Sequence, residues 1–515
     1  MIPSFHCDKN SAIAHTADGL LRGFEFGGIY TFWGVRYASA RRFEQPEPVK
    51  PWEGVRTALT RGYNAPLMER PRLEGNNEIY MMHRYWPESE HCQYLNVWTP
   101  GLNDKKRPVL VWLHGGAFET GSNMEMECYD GDRLAATQDC VVVGINHRLN
   151  MLGFLDLSAY GEKYRNSGNC GLADIVEALR WVRRNIAAFG GDPDRVTIFG
   201  QSGGGGKVCA LQQTPAADGL FSAGIVQSGV LTSNFSCGTD KRIADYLVAE
   251  LQKEGHPLEE IQTVSVETLF AAFRKIRPEL QAQGIPAIWA PVPNDYYLGD
   301  ALQVGIRPHA ATIPMIIGTV YGDFSMNPDF TMQDVEALHG LDAAGVRAAM
   351  AGRFGEEHAD ELLRLYQEAY PDHALCDAAS ADQLFRVPTL NYLALRAEQA
   401  TAPTWAYVFA YNLPIDGGRP AWHCTDIPFA FAQTEKMPYA CEPGVSDRLE
   451  AQVSGAWAAL ARNGDPNHEG LPTWTPYSAP SRSCMVFDRE SKVRDHDFDR
   501  TLAEAAQAWA PRIGG

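Results

Sequence analysis

The segment Gly200-Gln-Ser-Gly-Gly204 constrains the fold of this chain more than any other sequence feature. The apolar residues 196–199 precede it, and a run of small residues leading to Leu211 follows it. This order predicts a buried strand, a sharp turn and a helix. A serine in such a turn lies at the strand tip with a helix N-terminus behind it, which is the position of a hydrolase nucleophile. Ser202 is therefore a candidate nucleophile.

Short apolar runs bounded by turn residues alternate with helical patterns along the chain. Continuous apolar residues predict strands at 109–113, 140–145, 195–199, 225–228, 315–318 and 405–410. Apolar residues at helical spacing predict a helix over 172–186, which the glycine- and proline-containing residues 187–193 end. This alternation predicts an α/β fold whose mostly parallel central sheet is flanked by helices.

Length alone fits either two to four domains or one large domain with insertions. The chain contains no repeat, low-complexity tract or linker, and we predict one domain over residues 1–515. Helix formers are enriched at about 330–400, where we predict a helical insertion near the rim of the sheet. Peripheral helices are expected at 447–463 and 498–510.

Charge and composition exclude some functions. The formal net charge of −18 argues against binding to nucleic acid or to an anionic membrane. The N-terminal residues lack the pattern of a signal peptide, and no apolar stretch approaches the length of a membrane span. The eleven cysteines are scattered, so reduced thiols and a cytoplasmic location are expected. The sequence indicates no oligomeric state.

A second glycine-rich loop, His114-Gly-Gly-Ala-Phe118, follows the predicted strand 109–113. Such a loop can point backbone N–H groups at a developing oxyanion. The alternative is a plain turn between a strand and a loop, which the nearby nucleophile motif disfavours.

Several segments together resemble the type-B carboxylesterase family, the α/β-hydrolases that include the cholinesterases. They are residues 89–100, 111–118, 146–155, 185–193, 200–204, 227–229 and 463–467. The resemblance extends from about residue 15 to 490. It implies the α/β-hydrolase fold, with helical insertions that form the rim of a gorge, and the hydrolysis of carboxylic esters.

The resemblance also implies a catalytic acid and a catalytic base. The acid of a Gly-Thr-Asn-x-x-Glu pattern corresponds to Asp323, although Val320 replaces the asparagine. Glu435 and Asp426 are the alternative acids, and Asp323 could instead be a helix cap or a loop acid. The base of a His-Gly-x-[Glu/Asp] pattern corresponds to His423, with Cys424 in place of glycine. The order serine, acid, histidine is that of α/β-hydrolases.

Other roles of these two residues stay open. His423 could be a structural histidine. A Cys424 nucleophile or a His–Cys metal site is a remote alternative, since no further ligands are visible.

By the same resemblance, the backbone amides of Gly116, Ala117 and Gly203 form the oxyanion hole. Ala117 stands where glycine is usual, and Gly203 stands where alanine is usual. Gln201 replaces a common glutamate beside the nucleophile. Ser228 resembles a serine that hydrogen-bonds near the catalytic acid, although a small core residue is an equal alternative.

Two further features bear on the compartment and the gorge. Cys92 matches a disulfide cysteine of secreted relatives, but residues 64–67 offer no partner cysteine. Four aromatic residues could line the gorge or fill the core. They are Trp86, Trp112, Phe118 and Trp289.

The function expected from the resemblance is that of a serine carboxylesterase that cleaves short-chain or aryl esters through an acyl-enzyme. Its partner is a small-molecule ester, and the reaction needs no metal or organic cofactor. The alternatives are a catalytically inactive adhesion or scaffold homologue, and an amidase, carbamate hydrolase or acyltransferase that uses the same three residues.

Overall fold

The computed structural model describes residues 3–69, 84–230, 233–323, 337–415 and 417–510. Its main feature is a twelve-stranded sheet, with the order β1-β2-β3-β4-β6-β5-β7-β8-β9-β10-β11-β12. The strands are Phe5–His6 (β1), Phe24–Phe26 (β2), Ile29–Arg36 (β3), Tyr94–Thr99 (β4), Arg107–Leu113 (β5), Val141–Ile145 (β6), Gly191–Gln201 (β7), Ala223–Gln227 (β8), Met315–Val320 (β9), Thr404–Phe409 (β10), Cys484–Phe487 (β11) and Lys492–Arg494 (β12).

The pairings from β6 through β5, β7, β8, β9 and β10 to β11 are all parallel. Beyond them, β6 pairs antiparallel with β4, and β11 pairs antiparallel with β12. Helices flank this sheet: α1 Asp132–Gln138, α2 Asn150–Phe154, α3 Cys170–Asn185, α4 Gly203–Gln212, α5 Ser233–Ser236, α6 Arg242–Lys253, α7 Val266–Ala282, α8 Ala301–Val304, α9 Pro308–Ala311, α10 Ala343–Phe354, α11 Ala359–Ala369, α12 Arg386–Gln399, α13 Ile427–Ala430, α14 Ser446–Asn463 and α15 Arg500–Trp509. The predicted mostly parallel α/β sheet is confirmed.

Apolar side chains cover both faces of the sheet. Along β5, Val109, Val111 and Leu113 belong to one buried cluster, while Leu110 and Trp112 belong to another. Successive side chains of a strand point to opposite faces, so the two clusters lie on opposite sides of the sheet. A strand buried on both faces has no polar alternation, which is why the continuous apolar runs predicted the strands correctly.

One strand begins earlier than the sequence pattern predicts. The strand β7 begins at Gly191, which pairs with Arg107. The register shifts before the next pair, Val109 with Val196. An irregularity therefore absorbs the polar, proline-containing residues 192–195. The sequence pattern placed residues 192–193 in the segment that ends the preceding helix and began the strand only at Arg195.

The helices at 343–399 include one that covers the sheet. The guanidinium group of Arg396 in α12 donates to the Thr404 hydroxyl at 2.7 Å and to the Ile313 carbonyl at 2.7 Å. Leu390 and Leu393 lie in the same buried cluster as β9 and β10. The insertion at about 330–400 and the single-domain division stay predictions, and residues 330–336 of that range lie outside the described residues.

The parallel strands determine where the candidate site forms. The carboxyl ends of the parallel strands β5, β7, β8, β9 and β10 all lie on the same side of the sheet. Ligands bind at the carboxyl ends of the strands in open α/β sheets.

Within the described ranges, no helix is long and apolar enough to cross a lipid bilayer.

Candidate active site

Ser202 occupies a sharp turn between β7 and α4. Its φ of 57° and ψ of −128° are unfavourable for a residue with a side chain. The Ser202 amide donates to the Gln227 carbonyl at 2.9 Å, and its carbonyl accepts from the Gly206 amide at 3.0 Å. These bonds to β8 and to the first turn of α4 hold the strained residue, whose side chain remains half-buried at the strand tip.

The glycines around Ser202 permit close contact between backbones. A methyl group at Gly204 would collide with the Leu113 carbonyl oxygen at the end of β5. A methyl group at Gly203 would collide with the carbonyl oxygen of Ala117. Glycine at 203 therefore lets the turn approach the loop that contains Ala117, which explains why this chain lacks the usual alanine there.

The structure brings His423 and Asp323 together. Asp323 follows β9, and its Oδ1 lies 2.7 Å from His423 Nδ1. The His423 amide also donates to the Asp323 carbonyl at 3.3 Å. The next residue, Cys424, has a φ of 78°, which is the left-handed conformation that the glycine of the family pattern adopts readily.

The two alternative acids have other partners. Glu435 lies 2.6 Å from the Arg133 guanidinium group, on the protein surface. Asp426 Oδ2 accepts hydrogen bonds from Gln227 Nε2 at 2.9 Å and from the Tyr407 hydroxyl at 2.8 Å. The hydrogen bond between Asp323 and His423 therefore favours Asp323 over both.

Burial controls the electrostatics of this pair. Desolvation lowers the pKa of His423 to about 4, although the negative charges of Asp426 and Asp382 act to raise it. Desolvation raises the pKa of Asp323 well above its ordinary value, and Asp382 adds to this effect, while the Ser228 hydroxyl lowers it. The imidazole is consequently neutral, and able to accept a proton, over the whole range above about pH 4.

Ser228 supports the end of β9. Its hydroxyl accepts from the Val320 amide at 3.2 Å, and its own amide donates to the Gly318 carbonyl at 2.8 Å. Its hydroxyl also lowers the pKa of the Asp323 carboxyl. These contacts favour the supporting role over that of a small core residue.

Two contacts of His423 have no signal in the sequence. Gln201 Nε2 lies 3.3 Å from both ring nitrogens, while its Oε1 accepts from the Cys424 thiol at 3.2 Å. The Phe385 ring stacks against the imidazole, with centroids 5.3 Å apart and planes at 4°. Cys424 thus contributes a hydrogen bond that orients the Gln201 amide.

The candidate oxyanion donors lie beside Ser202. Gly116 and Ala117 follow β5, with φ of 80° and 53°. Consecutive amides in such conformations form a concave anion-binding arrangement. Gly203 is the first residue of α4, and an amide at that position has no acceptor within its helix. The three backbone N–H groups are therefore suited to bind a negative oxygen.

A small apolar cavity of about 60 Å³ opens beside Ser202. Besides Ser202, its lining consists of Ala117, Phe118, Gly203, Gly206, Gly229, Val230, Phe235, Leu384 and Phe385. Of the four aromatic residues considered from the sequence, Phe118 lines this cavity. Trp112 and Trp289 are buried in the core, and Trp86 lines a different cavity.

A group of potential metal ligands lies outside this site. Among the described residues, ligand atoms of His339, Cys376 and Asp377 lie within 4.8 Å of one another. His339 Nε2 is 3.3 Å from Asp377 Oδ1, the distance of an ion pair. The side-chain amide of Asn412 also donates to Asp377 Oδ2 at 2.7 Å, so protein groups already satisfy this carboxylate.

Comparison with known proteins decides the family. The model of the family described as "Carboxylesterase family" matches residues 10–505. The chain belongs to the carboxylesterase family. This finding confirms the resemblance inferred from the sequence.

Similar proteins cover nearly the whole chain. An esterase from Clostridium hathewayi, described as able to hydrolyze aliphatic aromatic polyesters, is 41% identical, with a TM-score of 0.92, over 98% of this chain and 100% of that one. The para-nitrobenzyl esterase of Bacillus subtilis is 32% identical over 94% of this chain and 96% of its own length. A carboxylesterase of Geobacillus stearothermophilus is 32% identical, with a TM-score of 0.72, over 97% of this chain and 100% of that one. The fold is that of the α/β-hydrolases, and the chain is a carboxylic ester hydrolase whose substrates are small-molecule esters.

The contact between Gln201 and the imidazole predicts the pH dependence of activity. If His423 is the catalytic base, its neutral imidazole is the active form, and kcat/KM of the unsubstituted protein should rise with pH through about 4. The variant Q201E places a carboxylate beside the ring, which favours the imidazolium and raises the His423 pKa. The rise in kcat/KM should therefore move to higher pH in Q201E.

The matched control is Q252E, which adds the same charge at an exposed position of α6. Its pH profile should equal that of the unsubstituted protein. If Q201E and Q252E have the same acid limb, Gln201 does not contact the imidazole that performs the reaction.

Proposed function

We propose that this carboxylesterase uses Ser202 as nucleophile, His423 as general base and Asp323 as the acid that orients the histidine. The observation that carries the proposal is the 2.7 Å contact between Asp323 Oδ1 and His423 Nδ1, at the sheet edge where Ser202 lies. The Nδ1–H donates to the carboxylate, so Nε2 is the ring nitrogen that accepts the serine proton in this mechanism. Asp323 also stabilises the imidazolium that forms when His423 takes this proton.

The first half of the reaction acylates the serine. His423 Nε2 takes the Ser202 proton while Oγ attacks the ester carbonyl carbon, and the carbonyl oxygen becomes an oxyanion. The bond to the alcohol oxygen then breaks, and His423 returns the proton to the leaving alcohol. The acid part of the ester stays bonded to Ser202 Oγ.

The second half releases the acid. A water molecule gives a proton to His423 and attacks the acyl carbonyl, which forms a second oxyanion. This intermediate collapses by breaking the bond to Ser202 Oγ, which regains its proton from His423. Hydrogen bonds from the amides of Gly116, Ala117 and Gly203 stabilise both oxyanions, each by on the order of 3 kcal/mol.

The cavity beside Ser202 favours esters of short, apolar acids. Its volume of about 60 Å³ suits a small acyl group. Phe118, Phe235 and Phe385 give it an apolar lining that suits an alkyl chain or a small ring. The relative from Clostridium hathewayi is described as able to hydrolyze aliphatic aromatic polyesters, which supports aryl esters as a further substrate class.

The alternatives have less support. An inactive scaffold does not require the contact between Asp323 and His423. Amide or carbamate hydrolysis and acyl transfer would use the same residues, and no contact among the described residues of the site favours them over ester hydrolysis.

Substitution of Ser202 and of Asp323 tests the proposal. S202A should lower kcat by about 10⁴-fold or more, because the nucleophile is lost. D323N should lower kcat by about 10²- to 10⁴-fold, since an amide favours the wrong histidine tautomer. The measurement is kcat for p-nitrophenyl butyrate, with circular dichroism to verify the fold.

The control for D323N is E435Q, a carboxylate-to-amide change at the surface ion pair with Arg133. It should retain the activity of the unsubstituted protein. An active S202A would end the serine mechanism, whereas an active D323N with an inactive E435Q would move the acid to Glu435.

Acyl-chain length tests the proposed substrate class. With p-nitrophenyl esters, kcat/KM should rise by about fourfold per methylene from acetate to butyrate, because each buried methylene contributes about 0.8 kcal/mol. The kcat/KM should fall for acyl chains that are too long for the cavity. L384A enlarges the cavity, so the acyl-chain length with the highest kcat/KM should increase. If the unsubstituted protein has its highest kcat/KM with the palmitate ester, the proposed preference for short acids is wrong.

A further inference from the structure

Lys207 is a buried cation beneath the loop that contains the oxyanion donors. It lies in α4, and its side chain is fully buried. Its Nζ donates to the His114 carbonyl at 2.8 Å and lies 3.5 Å from the Gly115 carbonyl oxygen. It also lies 5.9 Å from the centre of the Phe118 ring. The ammonium group thus contacts consecutive carbonyls of one loop.

Two buried imidazoles interact electrostatically with this cation. The rings of His114 and His147 stack with centroids 5.0 Å apart. Burial lowers the pKa of both histidines well below the ordinary value, and the Lys207 charge lowers them further. The carboxylate of Glu125 is the acidic group that opposes the burial effect on Lys207. The positive charge in this cluster therefore belongs to Lys207.

These contacts determine the orientation of the peptide between Gly115 and Gly116. The Gly115 carbonyl lies 2.9 Å from His114 Nδ1, and since a carbonyl only accepts, Nδ1–H is the donor. Lys207 Nζ approaches the same oxygen. In a planar trans peptide the C=O and N–H groups point in opposite directions. The Gly116 N–H must therefore point away from Lys207 and His114.

We propose that Lys207 is a positioning residue of the oxyanion hole, whose ammonium group holds the carbonyls of His114 and Gly115 so that the Gly116 amide faces the developing oxyanion. The proposal rests on the proposed function of Ser202. The cation also polarises the peptide whose N–H donates, because linked hydrogen bonds strengthen one another.

The energetic cost of this lysine supports a functional role. Burial of an ammonium group without a carboxylate in contact is expensive, and an apolar residue of similar size is often neutral or stabilising at such a site. Neither Nζ contact is with a carboxylate oxygen. Methionine has a similar volume and would remove the cost of burying the charge.

The test is K207M, with C209A as the matched control in the same helix. K207M should unfold at the same temperature as the unsubstituted protein or higher. At a pH below 7, where Lys207 carries its charge, the kcat of K207M for p-nitrophenyl butyrate should fall by about 10- to 100-fold, which is a smaller loss than removal of a whole oxyanion donor causes. Its KM should change less than threefold, because the amides bind the transition state more strongly than the ester. C209A should leave both constants unchanged.

The pH profile of kcat supplies a readout that a structural role would not move. Burial lowers the pKa of Lys207 to about 7, so the ammonium form is lost as the pH rises through that value. The kcat of the unsubstituted protein should have an alkaline limb there, which K207M should lack. K207R keeps a permanent charge, so it should also lack this limb and be more active than K207M.

Each outcome decides one claim. A folded K207M with kcat within twofold of the unsubstituted protein overturns the inference, and an inactive S202A would leave the serine mechanism intact. If K207M does not fold, K207R decides: an alkaline limb that persists in it overturns the role of Lys207. Failure of both variants to fold also overturns the inference, by assigning the lysine to stability.

Discussion

Close backbone contact between the loops that follow β5 and β7 is the constraint on which the site depends. Gly203 and Gly204 approach the carbonyls of Ala117 and Leu113 so closely that neither position has room for a methyl group. The contact places three candidate donors around Ser202, whose strained backbone is held by hydrogen bonds to Gln227 and Gly206. Parallel strands make this possible, because they bring both loops to one edge of the sheet.

The same contact explains why groups at a distance from the reacting atoms matter. Because the loop after β5 touches the turn after β7, a change in the direction of one peptide would move an amide out of the proposed oxyanion hole. The carbonyl contacts of Lys207 restrict that peptide from below. On the other side of the site, Gln201 and Phe385 restrict the imidazole of His423 in the same way.

The sequence predicts the parts of the site that local patterns encode. The strands are visible because buried parallel strands are continuously apolar, and Ser202, Asp323 and His423 each follow a strand in a recognisable motif. The contacts of Phe385 and Cys424 are not predictable, since they join segments distant in sequence with no shared pattern. Residue type alone also does not separate Phe118, which lines the cavity, from Trp112, which fills the core. The early start of β7 is not visible in the apolar pattern, because its first residues are polar and include a proline.

The identity of the nucleophile is the central claim, and covalent labelling tests it most directly. The protein would be treated with diethyl p-nitrophenyl phosphate, digested, and mapped by peptide mass spectrometry. The account predicts one diethylphosphoryl group per chain, on Ser202, with activity lost in proportion to labelling. A label on Cys424 or on another serine, or full activity in a chain labelled at Ser202, would contradict it.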